Sequence, residues 1–149
     1  MKRKATTRKI EAFFDGAIDV NPGGRIGAGV YIIDGDNEIT RAIGREPAPD
    51  NTVNVAEYLG IIEVLEMLAD CQACEIVIHG DSKLVINQLN GYWRALSGPY
   101  LPYYEKAKKL LNELRQNNVV DIKWIPRECN VVADEYSREY FVNEYSEWN

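Results

Sequence analysis

Lys9-Ile10-Glu11-Ala12-Phe13-Phe14-Asp15-Gly16 is the stretch from which the fold is read. Ile10, Ala12 and Phe14 recur at every second position, the period of a strand with one face in a core. The strand is expected over 9–15, and Asp15-Gly16 then opens a loop containing Asn21-Pro22-Gly23-Gly24. Downstream, 27–33 is rich in Val, Ile and Tyr, Asp34-Gly35-Asp36-Asn37 is a hairpin turn, and 38–45 is a third strand. These three form an antiparallel meander. A helix is expected over 54–70, where Ala56, Leu59, Ile62 and Leu65 recur at helical spacing. A fourth strand over 75–80 ends at Asp81-Ser82, and a short helix follows over 82–89. A long helix over 103–117, a fifth strand over 119–125 ended by Pro126, and a last helix over 130–141 complete the order β-β-β-α-β-α-α-β-α.

Hairpin-linked strands followed by α-β units make an α/β fold with a mixed sheet covered by helices. The right-handed crossover rule makes the fourth strand parallel to the first when the two are neighbours. Asp15 and Asp81 then stand at the same end of strands about 4.8 Å apart, where two carboxylates can share a cation. The carboxyl ends of parallel strands are also where open α/β sheets bind ligands. Glu57 and Asp134 join them from the first turns of two helices. Each acid has a simpler reading: a turn at Asp15-Gly16, a helix entry at Asp81 with Ser82 as N-cap, a capping box between Asn54 and Glu57, and the helix dipole at Asp134. Four such accidents on one sheet edge are less economical than one site. Hard oxygen ligands of this kind suit Mg²⁺ or Mn²⁺, and two such ions can cleave a phosphodiester.

The chain has 149 residues, 46% of them apolar, which suffices for one compact domain. We assign it as a single domain over 1–149, with a basic arm over 1–8 and a tail over 142–149. No apolar run is long enough for a membrane span, and the start does not read as a secretory signal, so a cytoplasmic protein that meets no membrane is expected. A net charge of −6 argues against nonspecific binding of nucleic acid, although Lys2, Arg3, Lys4, Arg8 and Lys9 concentrate positive charge at one end. Cys71 and Cys74 form one C-x-x-C, Cys129 stands apart, and His79 is the single histidine, a set too small for a typical zinc site. Small buried or loop cysteines are the simpler reading, with a reversible Cys71–Cys74 disulfide as the alternative.

Phe14-Asp15-Gly16-Ala17, Asn21-Pro22-Gly23, Ala56-Glu57-Tyr58, Gly80-Asp81-Ser82 and Asn130-Val131-Val132-Ala133-Asp134, in this order over roughly 9–140, resemble a type 1 ribonuclease H. The resemblance implies a ribonuclease H-like fold, with a five-stranded mixed sheet of order 3-2-1-4-5 and helices on both faces. It implies hydrolysis of the RNA strand of RNA/DNA hybrids with two divalent ions, leaving 5′-phosphate and 3′-hydroxyl ends, by a protein acting as a monomer. Asp15 would bridge both ions, Glu57 and Asp81 would complete one shell, and Asp134 the other. Mg²⁺ is the implied ion, with Mn²⁺ able to replace it. Gly16, Asn21, Asn54, Ser82, Tyr92, Trp93, Arg127 and Asn130 are the implied substrate contacts, and one of Tyr92 and Trp93 is expected to be buried as a loop anchor. Two features depart from the commoner pattern. The loop before the last helix, Ile125-Pro126-Arg127-Glu128-Cys129-Asn130, has no His and resembles a His-lacking branch. The stretch 92–100 carries only Arg94 where some members have a Lys-rich protrusion. A nuclease of this fold with another substrate and a non-catalytic nucleic-acid-binding module are the alternatives.

Overall fold

A computed structural model describes residues 7–141. The elements are β1 (Arg8–Ile18), β2 (Ile26–Asp34), β3 (Asn37–Arg45), α1 (Val53–Met67), β4 (Cys74–Gly80), α2 (Lys83–Leu89), α3 (Leu101–Arg115), β5 (Val119–Trp124), a 3₁₀ turn (Arg127–Cys129) and α4 (Val131–Ser137). They form a five-stranded mixed sheet of order β3-β2-β1-β4-β5. The β1–β2 and β2–β3 pairs are antiparallel, and the β1–β4 and β4–β5 pairs are parallel. Both the expected element order and the expected strand order are present.

Alternation along β1 and β2 assigns the two faces. Ile10, Ala12, Phe14, Val30 and Ile32 are buried with Tyr58, Ile61 and Leu65 of α1. Ile26 and Ala28 pack with Val55, Ala56 and Leu59. Between them, Gly27 and Gly29 face the other way, where added Cβ atoms would fall 2.2 Å from the Ser137 carbonyl oxygen and 2.1 Å from that of Ala133. Helix α4 therefore lies directly on the backbone of β2, on the face opposite α1.

Several boundaries differ from those read in the sequence. β1 does not open into a loop at Asp15-Gly16; it pairs with β2 through Ile18↔Ile26, so Asp15 lies inside the strand. Arg8 belongs to β1 and bonds Asp34, and Lys9 approaches Glu75 at 4.0 Å, so the end of the expected basic arm is strand. The remainder of that arm, with Lys2, Arg3 and Lys4, and the 142–149 tail lie outside the described residues. The cap of α1 is Thr52, whose hydroxyl accepts from Val55 N, and not Asn54. Helix α3 starts at Leu101 with Pro102 in its first turn, where a missing N–H costs nothing. Helix α4 ends at Ser137. All three cysteines are free thiols. No helix among the described residues is long and apolar enough to cross a membrane.

Candidate active site

Register brings the acids together. The last parallel pair between β1 and β4 is Phe14↔Gly80, so Asp15 and Asp81 follow side by side. Gly16 then permits Glu57 to approach. Its missing Cβ would lie 2.3 Å from Glu57 N and 2.4 Å from Ala56 C, so α1 crosses β1 at backbone contact. Gly16 N donates to Glu57 Oε1 at 2.9 Å and to Asp15 Oδ1 at 3.0 Å. Oxygens of Asp15, Glu57 and Asp81 lie within 4.8 Å of one another. Asp134 enters from α4. It is outside that trio, yet lines the same cleft of about 560 Å³ and stands near enough to Asp15 for the two carboxyl groups to shift one another. Asp15 thus stands between a three-carboxylate group and a two-carboxylate pair.

Such a cluster is electrostatically costly. Asp15 and Glu57 are 4% and 6% exposed. Burial foremost, followed by Asp134 and Asp81 and opposed by a hydrogen bond from Glu57, pushes the Asp15 carboxyl up to about 7. Burial, with the Asp15 charge next, pushes Glu57 well above the usual carboxylate range. Asp134 moves the other way. Burial would raise it, but the hydrogen bond from Asp15 and the Arg138 and Arg127 guanidinium groups hold it below the usual value. Glu57 Oε2 is buried with no hydrogen-bond partner among the described residues. An orphaned carboxylate oxygen facing two further acids fits a hard divalent cation, which supplies the missing positive charge and accepts oxygen ligands of this kind.

Asn130, one of the implied substrate contacts, is buried where β1 and β4 meet. It is 1% exposed, and its Nδ2 donates to Phe14 O at 2.8 Å and Asp81 Oδ2 at 3.2 Å. It binds β1 and β4 together where their ladder stops and fixes the Asp81 carboxylate. Asn130→Ala should lower stability by about 1–3 kcal/mol through the unpaired Phe14 carbonyl. It should also weaken divalent-ion affinity about 10–100-fold through loss of orientation at Asp81. Thermal melts and Mn²⁺ titration calorimetry measure the two effects.

The other expected contact residues do not all meet at the cleft. Gly16 and Arg127 line it. Asn21 accepts from Val53 N at 3.4 Å, which joins the 19–25 loop to the start of α1. Asn54 is half-buried in the first turn of α1. Ser82 caps α2, its hydroxyl accepting from Val85 N. The expectation that Tyr92 or Trp93 is buried is not met, since they are 78% and 48% exposed. A different residue anchors their loop: buried Gln88 accepts from Tyr58 and donates to Arg94 O and to Tyr100 Oη, each at 3.1 Å. Asn51 similarly ties the 19–25 loop down, donating to Gly24 O and Glu46 O while its own carbonyl accepts from Gly23 N. Neither amide carries a sequence signal beyond its residue type. Arg138 was also missed, although it stands four residues after Asp134 on one helix, a spacing that pairs charges.

A 3-2-1-4-5 sheet with acids gathered from within β1, from just past β4 and from α1 and α4 defines the ribonuclease H-like class. Residues 13–140 match the family described as Reverse transcriptase-like. The structure is similar to RNase H1 from Halobacterium salinarum, with a TM-score of 0.78 and 30% identity over 91% of this chain and 98% of that one. It is similar to LC11-RNase H1 in complex with an RNA/DNA hybrid, with a TM-score of 0.75 and 29% identity over 87% of this chain and 94% of that one. In sequence it is 32% identical over 130 residues to the bifunctional protein Rv2228c of Mycobacterium tuberculosis, covering 87% of this chain and 34% of that protein. The chain spans about a third of the length of the curated relatives it first matches. It belongs to this Reverse transcriptase-like family and, within it, to type 1 ribonuclease H.

Proposed function

We propose that the protein is an endonuclease that hydrolyses the RNA strand of RNA/DNA hybrids, leaving 5′-phosphate and 3′-hydroxyl ends. The observation that carries the reading is the trio of buried Asp15, buried Glu57 and half-buried Asp81 with its orphaned Glu57 oxygen, opening on a cleft that Asp134 also lines. In this reading Asp15, Glu57 and Asp81 hold one Mg²⁺, and Asp15 with Asp134 holds a second; Mn²⁺ is able to replace either. When bound, the two ions activate a water and stabilise the leaving oxygen of an in-line displacement. Gly16 and Asn130 hold the carboxylates in place. Glu57 is the group assigned to the RNA 2′-hydroxyl, which distinguishes RNA from DNA. In this reading the protein acts as a monomer. Three free thiols fit a reducing, cytoplasmic setting.

Asn21 and Asn54, on the loop and helix start beside the cleft, are assigned to the RNA minor groove. Exposed Tyr92 and Trp93 are assigned to the DNA strand. Trp93→Ala should weaken hybrid binding by about 1–3 kcal/mol, the worth of one stacking contact. The melting temperature should stay unchanged, because the ring is half in solvent. Fluorescence anisotropy of labelled hybrid, beside a thermal melt, checks both.

The proposal is tested by incubating the protein with end-labelled RNA/DNA hybrid, free RNA and DNA duplex, in Mg²⁺, Mn²⁺ or EDTA. Cleavage of the hybrid alone, stopped by EDTA, is the expected result. Cleavage of duplex DNA points to another nuclease of this fold, and binding without cleavage to a non-catalytic module.

A further inference from the structure

Gln88 places its whole amide inside the protein. It lies on α2 and is 1% exposed. Arg94 O can only accept, so the amide nitrogen must face it, at 3.1 Å. That orientation fixes the rest. The second amide hydrogen goes to Tyr100 Oη at 3.1 Å, and Oε1 accepts from Tyr58 Oη at 2.5 Å. Tyr58 is fully buried, stacks on Tyr100 with ring centres 5.9 Å apart, and directly follows Glu57 on α1. One amide therefore joins the helix turn that carries a site carboxylate to both ends of the 94–100 segment.

The backbone just before that segment is held too. Tyr92 N and Trp93 N both donate to Asn87 O, at 2.9 and 3.1 Å, and Gly91, at φ +81°, makes the reversal. Yet Tyr92, Trp93 and Leu96 are 78%, 48% and 73% exposed. Large side chains turned outward on a loop whose backbone is tied down form a rigid contact surface, with little left to order when a partner arrives.

We propose that Gln88 is a positioning residue for the nucleic acid: its amide holds the Tyr92–Trp93 platform at a fixed span from the Glu57 turn of α1. That span sets how firmly the DNA strand of a hybrid is held while the RNA strand lies at the carboxylates. Buried as it is, Gln88 reaches no nucleic acid itself and acts through the platform. The inference rests on the hybrid-nuclease reading.

Gln88→Met keeps the length and the burial of the side chain and removes all three bonds. Anisotropy of labelled hybrid, with Ca²⁺ in place of Mg²⁺ so that binding is read without turnover, measures the result. Binding should weaken about five- to tenfold, the scale of re-ordering one or two side chains on association. In a Tyr92→Ala/Trp93→Ala background the same change should cost less than about twofold, because no platform is left to position. An RNA duplex offers the platform no DNA strand, so its binding in competition should not weaken, and selectivity for the hybrid should fall. Trypsin should cut after Arg94 several-fold faster in Gln88→Met, while Mn²⁺ titration calorimetry on the free protein gives the wild-type affinity. Tyr100→Phe removes only one of the two loop bonds and serves if Gln88→Met does not fold. It should weaken hybrid binding about two- to threefold, again only with the platform present. An equal loss in both backgrounds, no loss in either, or a weakened Mn²⁺ affinity overturns the assignment. A lowered melting temperature with hybrid affinity intact makes Gln88 purely structural and overturns it as well. Wild-type protein that binds no hybrid overturns the nuclease reading itself and this inference with it, an outcome told apart by the wild-type arm alone.

Discussion

Asp15→Asn should leave a folded protein that is more stable than the wild type in EDTA at pH 8 and cleaves hybrid at least about 10³-fold more slowly. The two effects share one cause. Asp15 is held 4% exposed between Glu57, Asp81 and Asp134, with its carboxyl pushed up to about 7 by burial first and by its acidic neighbours next. A carboxyl whose folded value lies above its unfolded value destabilises the fold wherever it must ionise. The penalty is absent below about pH 4, grows as the pH rises toward 7, and is full above that. A shift from 3.8 to about 7 corresponds to as much as about 4 kcal/mol at 1.36 kcal/mol per unit. Part of this is recovered when the neighbouring acids relax around a neutral amide. A gain of about 2 kcal/mol, or about 5 °C in melting temperature, is therefore expected at pH 8, shrinking toward pH 4. Mg²⁺ should raise the melting temperature of the wild type and not of the variant. The activity loss follows from removing the one carboxylate that touches both halves of the cluster, since each 1.36 kcal/mol of lost transition-state stabilisation is tenfold in rate. Melts at pH 5 and pH 8 with and without Mg²⁺, together with single-turnover cleavage, measure all of this. A variant less stable than the wild type in EDTA at pH 8 would contradict the electrostatic description of the site.

Gly16→Ala is expected to damage both the fold and the acidic site with a single methyl group. The new Cβ would stand 2.3 Å from Glu57 N, 2.4 Å from Ala56 C and 2.7 Å from Ala56 O. All three are helix backbone in the middle of the core, so no side-chain rotation relieves the contact. Strand β1 and helix α1 must separate, which opens the layer where Phe14, Tyr58 and Ile61 pack. Overpacking of a core typically costs about 1–3 kcal/mol, and a clash with fixed backbone extends that to about 3–5 kcal/mol. Separation also withdraws Glu57 from Asp15, so divalent-ion affinity should fall together with stability. Urea unfolding and Mn²⁺ titration check the pair. A variant with wild-type stability would show that the crossing is looser than the backbone contact implies.

Much of this was legible in the chain, for reasons that particular residues make plain. The alternation Ile10, Ala12, Phe14 and the hairpin signal Asp34-Gly35 give the meander, and the crossover rule gives the parallel β1–β4 pair that sets Asp15 beside Asp81. Other features depend on partners far away in sequence. Asp15-Gly16 has the composition of a turn, yet pairing of Gly16 with Ala28 and Ile18 with Ile26 keeps the chain extended. The preference for Asn54 as a cap yields to Thr52, whose hydroxyl reaches Val55 N. Asn130 has the profile of a surface cap, and only the meeting of Phe14 O and Asp81 turns its amide inward. Tyr92 and Trp93 read as aromatic residues with one for the core, but the Gln88 network already anchors their loop and leaves both rings outside.

The most direct test of the carboxylate assignment is anomalous diffraction from crystals soaked in Mn²⁺ with an uncleavable RNA/DNA hybrid bound. The assignment requires one ion among Asp15, Glu57 and Asp81, and a second between Asp15 and Asp134 at the phosphate of the RNA strand. Mn²⁺ bound elsewhere, with the four carboxylates unligated, would contradict it.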